Sequence, residues 1–217
     1  MELVLAYVPG FSVLATFTLA AVALTLTPGP DMTLFLGKAV SEGRASGLAA
    51  FFGAVTGLLL HTVLAAVGLS ALLAASPDAF LVLKIVGAAY LAWLAWQALR
   101  HGSGLTLDPQ AGATADVKGA FVAGLGINIL NPKIVMFFVT FLPQFVSPDD
   151  PKAGGTLLFL GLYFIALAMP ICVVMILMAD RISQRVRRSP RLTRAIDYLF
   201  AGVMGGFAVK LLLAKAS

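Results

Sequence analysis

The stretch "ALTLTPGPDMTLFLGK", residues 23–38, decides how this chain is read. Its flanks are apolar, yet Pro28, Gly29, Pro30 and Asp31 sit in its middle. Proline removes a backbone donor and clashes with the carbonyl four residues back, so a helix cannot pass through this point unbroken. Pro28 and Pro30 are expected to free the carbonyls of Leu24 and Leu26. Gly29 between them lets backbone open or a ligand come close. The half-helix that restarts presents unpaired N–H groups at its positive end, which suits an anion.

Working outward, the surroundings are those of a membrane protein. Of 217 residues 60% are hydrophobic and only 12% charged, with a mean hydropathy of +0.97. Soluble domains run nearer a quarter charged. Six apolar stretches are expected as spans: about 11–36, 45–75, 80–99, 120–145, 156–178 and 195–213. The segment HGSGLTLDPQAGATADVKG between the third and fourth reads as a loop. The start, MELVLAYVPGF, lacks a basic n-region, which argues against a cleaved signal peptide. The fold class expected is an all-α membrane protein forming one transmembrane domain.

Charge orients the spans. Lys38 and Arg44 follow span one, Arg100 and Lys118 follow span three, and Arg181, Arg185, Arg187, Arg188, Arg191 and Arg194 follow span five. The alternate loops hold Asp78, Asp149, Asp150 and Lys152. Basic loops stay cytoplasmic, so both termini are expected outside. The net charge of +5 is explained by anchoring on anionic lipid, not by nucleic acid. Trp93 and Trp96 stand before Arg100, where an interfacial aromatic belt belongs.

The sequence also resembles itself. A shift that carries Pro28 onto Pro132 lays FTLAAVALTLTP (17–28) over FVAGLGINILNP (121–132), Met32 over Met136 and Gly57 over Gly161. Three spans per copy turn the second copy upside down. The expectation is a 3+3 inverted repeat, about 11–100 and 119–214, with proline-broken helices 1 and 4. In such designs the binding site lies where the two broken helices meet.

That meeting point would carry two charges, Asp31 and Lys133, each costing about 2.5–3.5 kcal/mol near the bilayer centre unless it faces a partner or cavity. Pro132 frees the carbonyl of Asn128. With Asn128 and Asn131, these groups complement a zwitterion: its ammonium at Asp31, its carboxylate at Lys133. Asp31 is also the candidate carrier of a coupling proton. The competing reading is a buried structural ion pair, with the prolines only kinking helices for packing. Asp31 lies towards the cytoplasmic end of its span and Lys133 nearer mid-span, which leaves their contact open.

Other residues are secondary candidates. His61 is either a proton relay or a hydrogen-bonded core histidine. Gln144, after Pro143, is either a gate or interfacial. Lys84 is expected to snorkel. Gly53 and Gly57, and Gly202 and Gly206, permit close helix approach within the bundle or between two protomers of a homodimer. Pro170 is a further candidate kink. The single Cys172 excludes a disulfide framework. No phosphate loop, H-E-x-x-H, G-x-S-x-G or Cys/His cluster occurs, so neither an enzyme nor a cofactor or metal is expected.

The stretches TPGPDMTLFLGKAVSEGRASGLAAFFGAVTGLLLH (27–61), KIVGAAYLAWLAWQALR (84–100) and GAFVAGLGINILNPKIVMFFVTFLPQFV (119–146) resemble the LysE/RhtB amino-acid exporter family over essentially the whole chain. The resemblance implies a bacterial inner-membrane exporter, coupled to protons and dimeric, that moves amino acids outward. GPDMTLFL is more similar to the neutral-amino-acid RhtB branch than to the lysine and arginine branch. Some members of the wider superfamily handle other solutes, metal ions included; the lack of a thiol or histidine cluster makes metal the lesser reading. An uncoupled facilitator and a non-transporting membrane scaffold are the rival functions.

Overall fold

A computed structural model describes residues 7–69, 71, 77–101, 114–146 and 150–213. Among these, every regular element is helical. In chain order they are α1 (Phe11–Leu26), α2 (Pro30–Ser41), α3 (Arg44–Leu64), α4 (Pro77–His101), α5 (Val117–Leu130), α6 (Pro132–Met136), α7 (Ala153–Leu177), α8 (Ala179–Arg188) and α9 (Pro190–Leu213). A π turn, Ala65–Leu69, extends α3; a second, Phe137–Phe141, and a 3-10 turn, Leu142–Phe145, extend α6. Most of the expected loop between spans three and four, residues 102–113, lies outside the described residues, as does Asp149. So does the side chain of Lys84, while Asp78, expected in a loop, falls within α4.

The two proline motifs break the chain in the same way. Thr27 ends α1 in an extended conformation (φ −75°, ψ 123°), as a residue before proline must. Gly29 is also extended, and Pro30 opens α2 at its first position, where a missing N–H costs nothing. Asn131 repeats the pattern (φ −71°, ψ 109°), with Pro132 opening α6. The axes bend by 50° at the first break and 47° at the second. Pro170, by contrast, sits inside α7, which continues through it.

Among the described residues, two helices are long and apolar enough to cross a bilayer, Arg44–Leu69 and Ala153–Leu177. Each bent pair, α1 with α2 and α5 with the segment to Phe145, adds one more if counted as a single span. At most four of the six expected spans therefore meet this criterion among the described residues. The expected third and sixth spans fall in α4 and α9, which pack along each other.

Glycines set the tightest seam. A Cβ on Gly53 would stand 2.0 Å from the Phe121 carbonyl oxygen, and one on Gly124 would stand 1.9 Å from that of Ala50. Only glycine lets α3 and α5 approach so closely. The Gly53 pair thus serves the bundle itself, whereas Gly202 and Gly206 face open space. An aromatic cluster joins the remaining elements: Phe137 meets Phe164 of α7 at 4.8 Å, Phe17 of α1 meets Phe145 at 5.2 Å, and Phe141 meets Phe207 of α9 at 4.7 Å. Large apolar side chains such as Leu19, Leu130 and Leu199 point outward, as lipid contact requires.

At the end of α2, Lys38 pairs with Glu42, and this bonded ammonium holds the Glu42 carboxyl below the usual carboxylate range. The second Glu42 oxygen lies 3.5 Å from the Asp116 backbone nitrogen. Asp116 in turn caps α5, accepting from the Gly119 N–H at 2.8 Å. The end of α2 and the start of α5 are thereby joined. Arg181 and Arg185 are exposed on α8, which packs against α2. Arg100 lies over the ring of Trp96, 5.1 Å from its centroid.

Candidate functional site

The two breaks face each other and are cross-bonded. Asn128, on the last turn of α5, donates its amide Nδ2 to Asp31 Oδ2 at 2.7 Å. Lys133, just past the second break, donates its Nζ to the backbone carbonyl of Thr27, just before the first, at 2.8 Å. Both donors come from the second break and both acceptors from the first, so the two halves of the chain are joined twice. Both acceptors are charge-assisted contacts, about twice as strong as neutral ones.

Local geometry explains these positions. Asp31 occupies the first turn of α2, where the positive end of the helix favours an acid. Asn131 accepts the Lys133 N–H at its side-chain oxygen, 3.0 Å away, and so caps the helix it precedes. Gly29 leaves room for the lysine: a Cβ there would lie 3.3 Å from Lys133 Nζ.

The freed carbonyls are largely recovered, which the sequence does not reveal. The Leu24 carbonyl accepts the Thr27 N–H at 3.3 Å, and that of Asn128 accepts the Asn131 N–H at 3.1 Å. His61 Nε2 lies 3.4 Å from the same Asn128 oxygen, with its imidazole stacked on Phe138 at 5.6 Å. What opens instead is the Thr27 carbonyl, and Lys133 covers it.

Asp31 and Lys133 come into one cluster but form no direct ion pair among the described residues. The simple buried pair is therefore replaced by two crossed hydrogen bonds. Pro28, Gly29, Pro30, Asp31, Asn128, Asn131, Pro132, Lys133 and His61 gather at this crossing. Gln144 stays apart, donating to the Thr140 carbonyl of its own segment at 2.7 Å. Thr27 is a participant that sequence reasoning missed. Its signal was its place as the last residue before Pro28, where a terminal carbonyl must find a donor.

Two acceptors in the cluster are left over. Asp31 Oδ1 and Asn128 Oδ1 are buried without a hydrogen-bond partner. Asn128 itself is only 1% exposed. Its side chain is held against α3 by Gly57, where a Cβ would stand 2.5 Å from Asn128 Oδ1. Gly57→Ala is therefore expected to displace Asn128 and weaken its bond to Asp31. A hydrogen bond to a charged group is worth about 1.5–3 kcal/mol, so the thermal-unfolding midpoint should fall measurably. An unchanged midpoint would mean that Asn128 keeps its bond to Asp31 despite the added methyl.

The chain matches the family model described as LysE type translocator over residues 22–215. It is 32% identical over 200 residues to the homoserine/homoserine lactone efflux protein of Salmonella typhimurium, covering 92% of this chain and 95% of that one. It is 27% identical over 197 residues to the leucine efflux protein of Klebsiella pneumoniae, covering 90% and 92%. A membrane protein of Pseudomonas aeruginosa with no described function is 32% identical over 206 residues, covering 93% and 95%. No solved structure matches. Helices and relatives together make this a multi-pass membrane protein, and the relatives whose names state a role are efflux proteins, not enzymes.

Proposed function

The chain belongs to the LysE type translocator family, and on that premise we propose that it is a secondary active exporter of neutral amino acids of the homoserine or leucine kind, working by alternating access about the crossed breaks. The observation that carries this reading is the pair of bonds that join the two breaks, Asn128 to Asp31 and Lys133 to Thr27. A structural kink needs no acid, base and amide gathered at one depth. A carrier of zwitterions does: the substrate ammonium approaches Asp31, and its carboxylate approaches the remaining N–H groups of Lys133.

The near-equal bends of 50° and 47° at matching prolines support a 3+3 inverted repeat, residues 11–100 and 119–214, within one transmembrane domain. So do the packing of α4 along α9 and of α3 against α7, each pairing corresponding spans of the two repeats. Asp31 carries the coupling proton, since it is the carboxylate at the crossing. The basic loops keep the three Lys/Arg-rich turns cytoplasmic in the bacterial inner membrane, with both termini outside. The exposed Gly202 and Gly206 leave a face on α9 for a second copy in a homodimer.

The test is efflux from proteoliposomes loaded with a mixed amino-acid panel, with and without an imposed proton gradient. One or a few neutral amino acids should leave, at least about tenfold faster with the gradient: a gradient of one pH unit supplies about 1.4 kcal/mol per proton. Efflux that ignores the gradient would instead make the protein a facilitator. No movement of any amino acid would overturn the exporter reading.

A further inference from the structure

On the exporter reading, on which this proposal rests, a substrate leaves the crossing past one of the seams that join the two halves of the chain. The shift that lays Pro28 over Pro132 pairs those seams: α5 against α3, and α1 against α7. They are built differently. In the first, backbone meets backbone. A Cβ on Gly53 would stand 2.0 Å from the Phe121 carbonyl oxygen, and one on Gly124 1.9 Å from that of Ala50. The same shift puts Leu157 in the place of Gly53 and Ala20 in the place of Gly124. Both are buried, and their Cβ atoms deny the second seam the spacing of the first.

α1 meets α7 through side chains instead. The Thr18 and Tyr163 hydroxyls share a hydrogen bond at 2.9 Å. The Phe17 ring, fully buried, lies 6.1 Å from that of Tyr163 and 5.2 Å from that of Phe145. Tyr7, ahead of α1, lays its ring over Gly155, where a Cβ would stand 2.3 Å from it. Rings and hydroxyls part by rotamer changes, whereas no rotamer change separates backbone from backbone.

The breaks differ in the same sense. Residues 27–29 separate α1 from α2, and Gly29 among them carries no Cβ. Asn131 alone separates α5 from α6, and it is fastened on both sides. Its N–H donates to the Asn128 carbonyl at 3.1 Å, and its own carbonyl accepts from the Ile134 and Val135 N–H groups at 3.0 and 2.9 Å. Its side chain accepts from the Lys133 N–H at 3.0 Å. The first break has the freedom of a hinge, and the second does not.

We propose that α1 is the moving part of the exporter. It swings about Gly29 while α5 stays fixed to α3. With the termini outside, the α1–α7 seam lies between the crossing and the exterior, so Phe17, Thr18 and Tyr163 form the exit gate that this swing opens.

The experiment places pairs of spin labels on the full-length protein carrying Cys172→Ala. One pair, Phe11→Cys with Leu158→Cys, spans α1 and α7; the other, Phe52→Cys with Val122→Cys, spans α3 and α5. All four positions are exposed. Distances are read by double electron–electron resonance in nanodiscs, with and without leucine or homoserine, and efflux is read on the same labelled proteins in proteoliposomes. α1 has 16 residues and is about 24 Å long, so a swing of about 15° carries Phe11 about 6 Å. Substrate is expected to add a population about 6 Å longer for the α1–α7 pair and to leave the α3–α5 pair unchanged. Tyr163→Phe removes only the shared hydroxyl bond and should raise the substrate-free share of the longer population about two- to tenfold. An α1–α7 pair that stays put in a protein that exports, or an α3–α5 pair that moves as far, would overturn the swing of α1 and leave the exporter reading standing. A Tyr163→Phe share equal to that of the unsubstituted gate would remove Thr18 and Tyr163 from it. Movement of α1 in a protein that exports no amino acid would sink the exporter reading and leave the hinge standing. No movement and no export would sink both.

Discussion

Asp31→Asn is expected to stop efflux while leaving the protein folded. The substitution keeps the shape of the side chain and an oxygen for the Asn128 amide, now 2.7 Å away, to donate to. It removes the negative charge and with it any means of carrying a proton. A substrate ammonium deprived of its buried carboxylate partner typically loses about 3–5 kcal/mol, which is a hundredfold or more in rate or affinity. The fold does not suffer equally, because a charge in the hydrocarbon region is itself expensive, about 2.5–3.5 kcal/mol. Proteoliposome efflux measured beside a thermal-unfolding curve separates the two effects. Flux at the wild-type level would remove Asp31 from the transport pathway.

The second large effect is on stability, at Gly124. A Cβ there would meet the Ala50 carbonyl oxygen at 1.9 Å and its Cα at 3.0 Å. Those are backbone atoms in the middle of α3, so no rotamer change relieves the contact. Even alanine must push α3 and α5 apart, and overpacking of this kind costs about 1–3 kcal/mol or more. Because α3 holds His61 and Gly57 against the end of α5, the same shift spoils the crossing. Gly126→Ala, two residues on in the same helix, is the control: it meets open space and gains helix propensity. The expectation is a clear fall in midpoint for Gly124→Ala and none for Gly126→Ala. Equal midpoints would mean that the α3–α5 seam is looser than its glycines imply.

These expectations differ in how far the sequence alone reaches. Pro28 and Pro132 announce the breaks because proline acts on its own backbone, whatever surrounds it. The charges announce themselves too, since Asp31 and Lys133 are costly anywhere in an apolar span. Their partners are another matter. Asn128 bonds Asp31 across 97 residues, and no local rule connects them. Thr27 takes part through its carbonyl, a group every residue has, so its side chain gave no sign. The carbonyls of Leu24 and Asn128, expected to stay open, are closed by short turns whose geometry depends on each break. The glycines were visible as spacing, but only the packed helices show that Gly53 serves α5 while Gly202 meets nothing. Gln144, read after Pro143 as a gate or as interfacial, bonds the Thr140 carbonyl one turn back, a contact that its place in the sequence does not announce.

The crossed bonds also bear on how the chain is made. The donor for the Thr27 carbonyl is 106 residues downstream, and the amide for Asp31 is 97 residues downstream. At a synthesis rate of about 5–20 residues per second, the first break waits roughly 5–20 s for its partners. During that interval its acid and open carbonyl need solvent or the insertion machinery, because lipid offers them no donor. The first half of the nascent chain therefore enters the membrane incomplete, and its final depth is fixed only when Asn128 and Lys133 emerge.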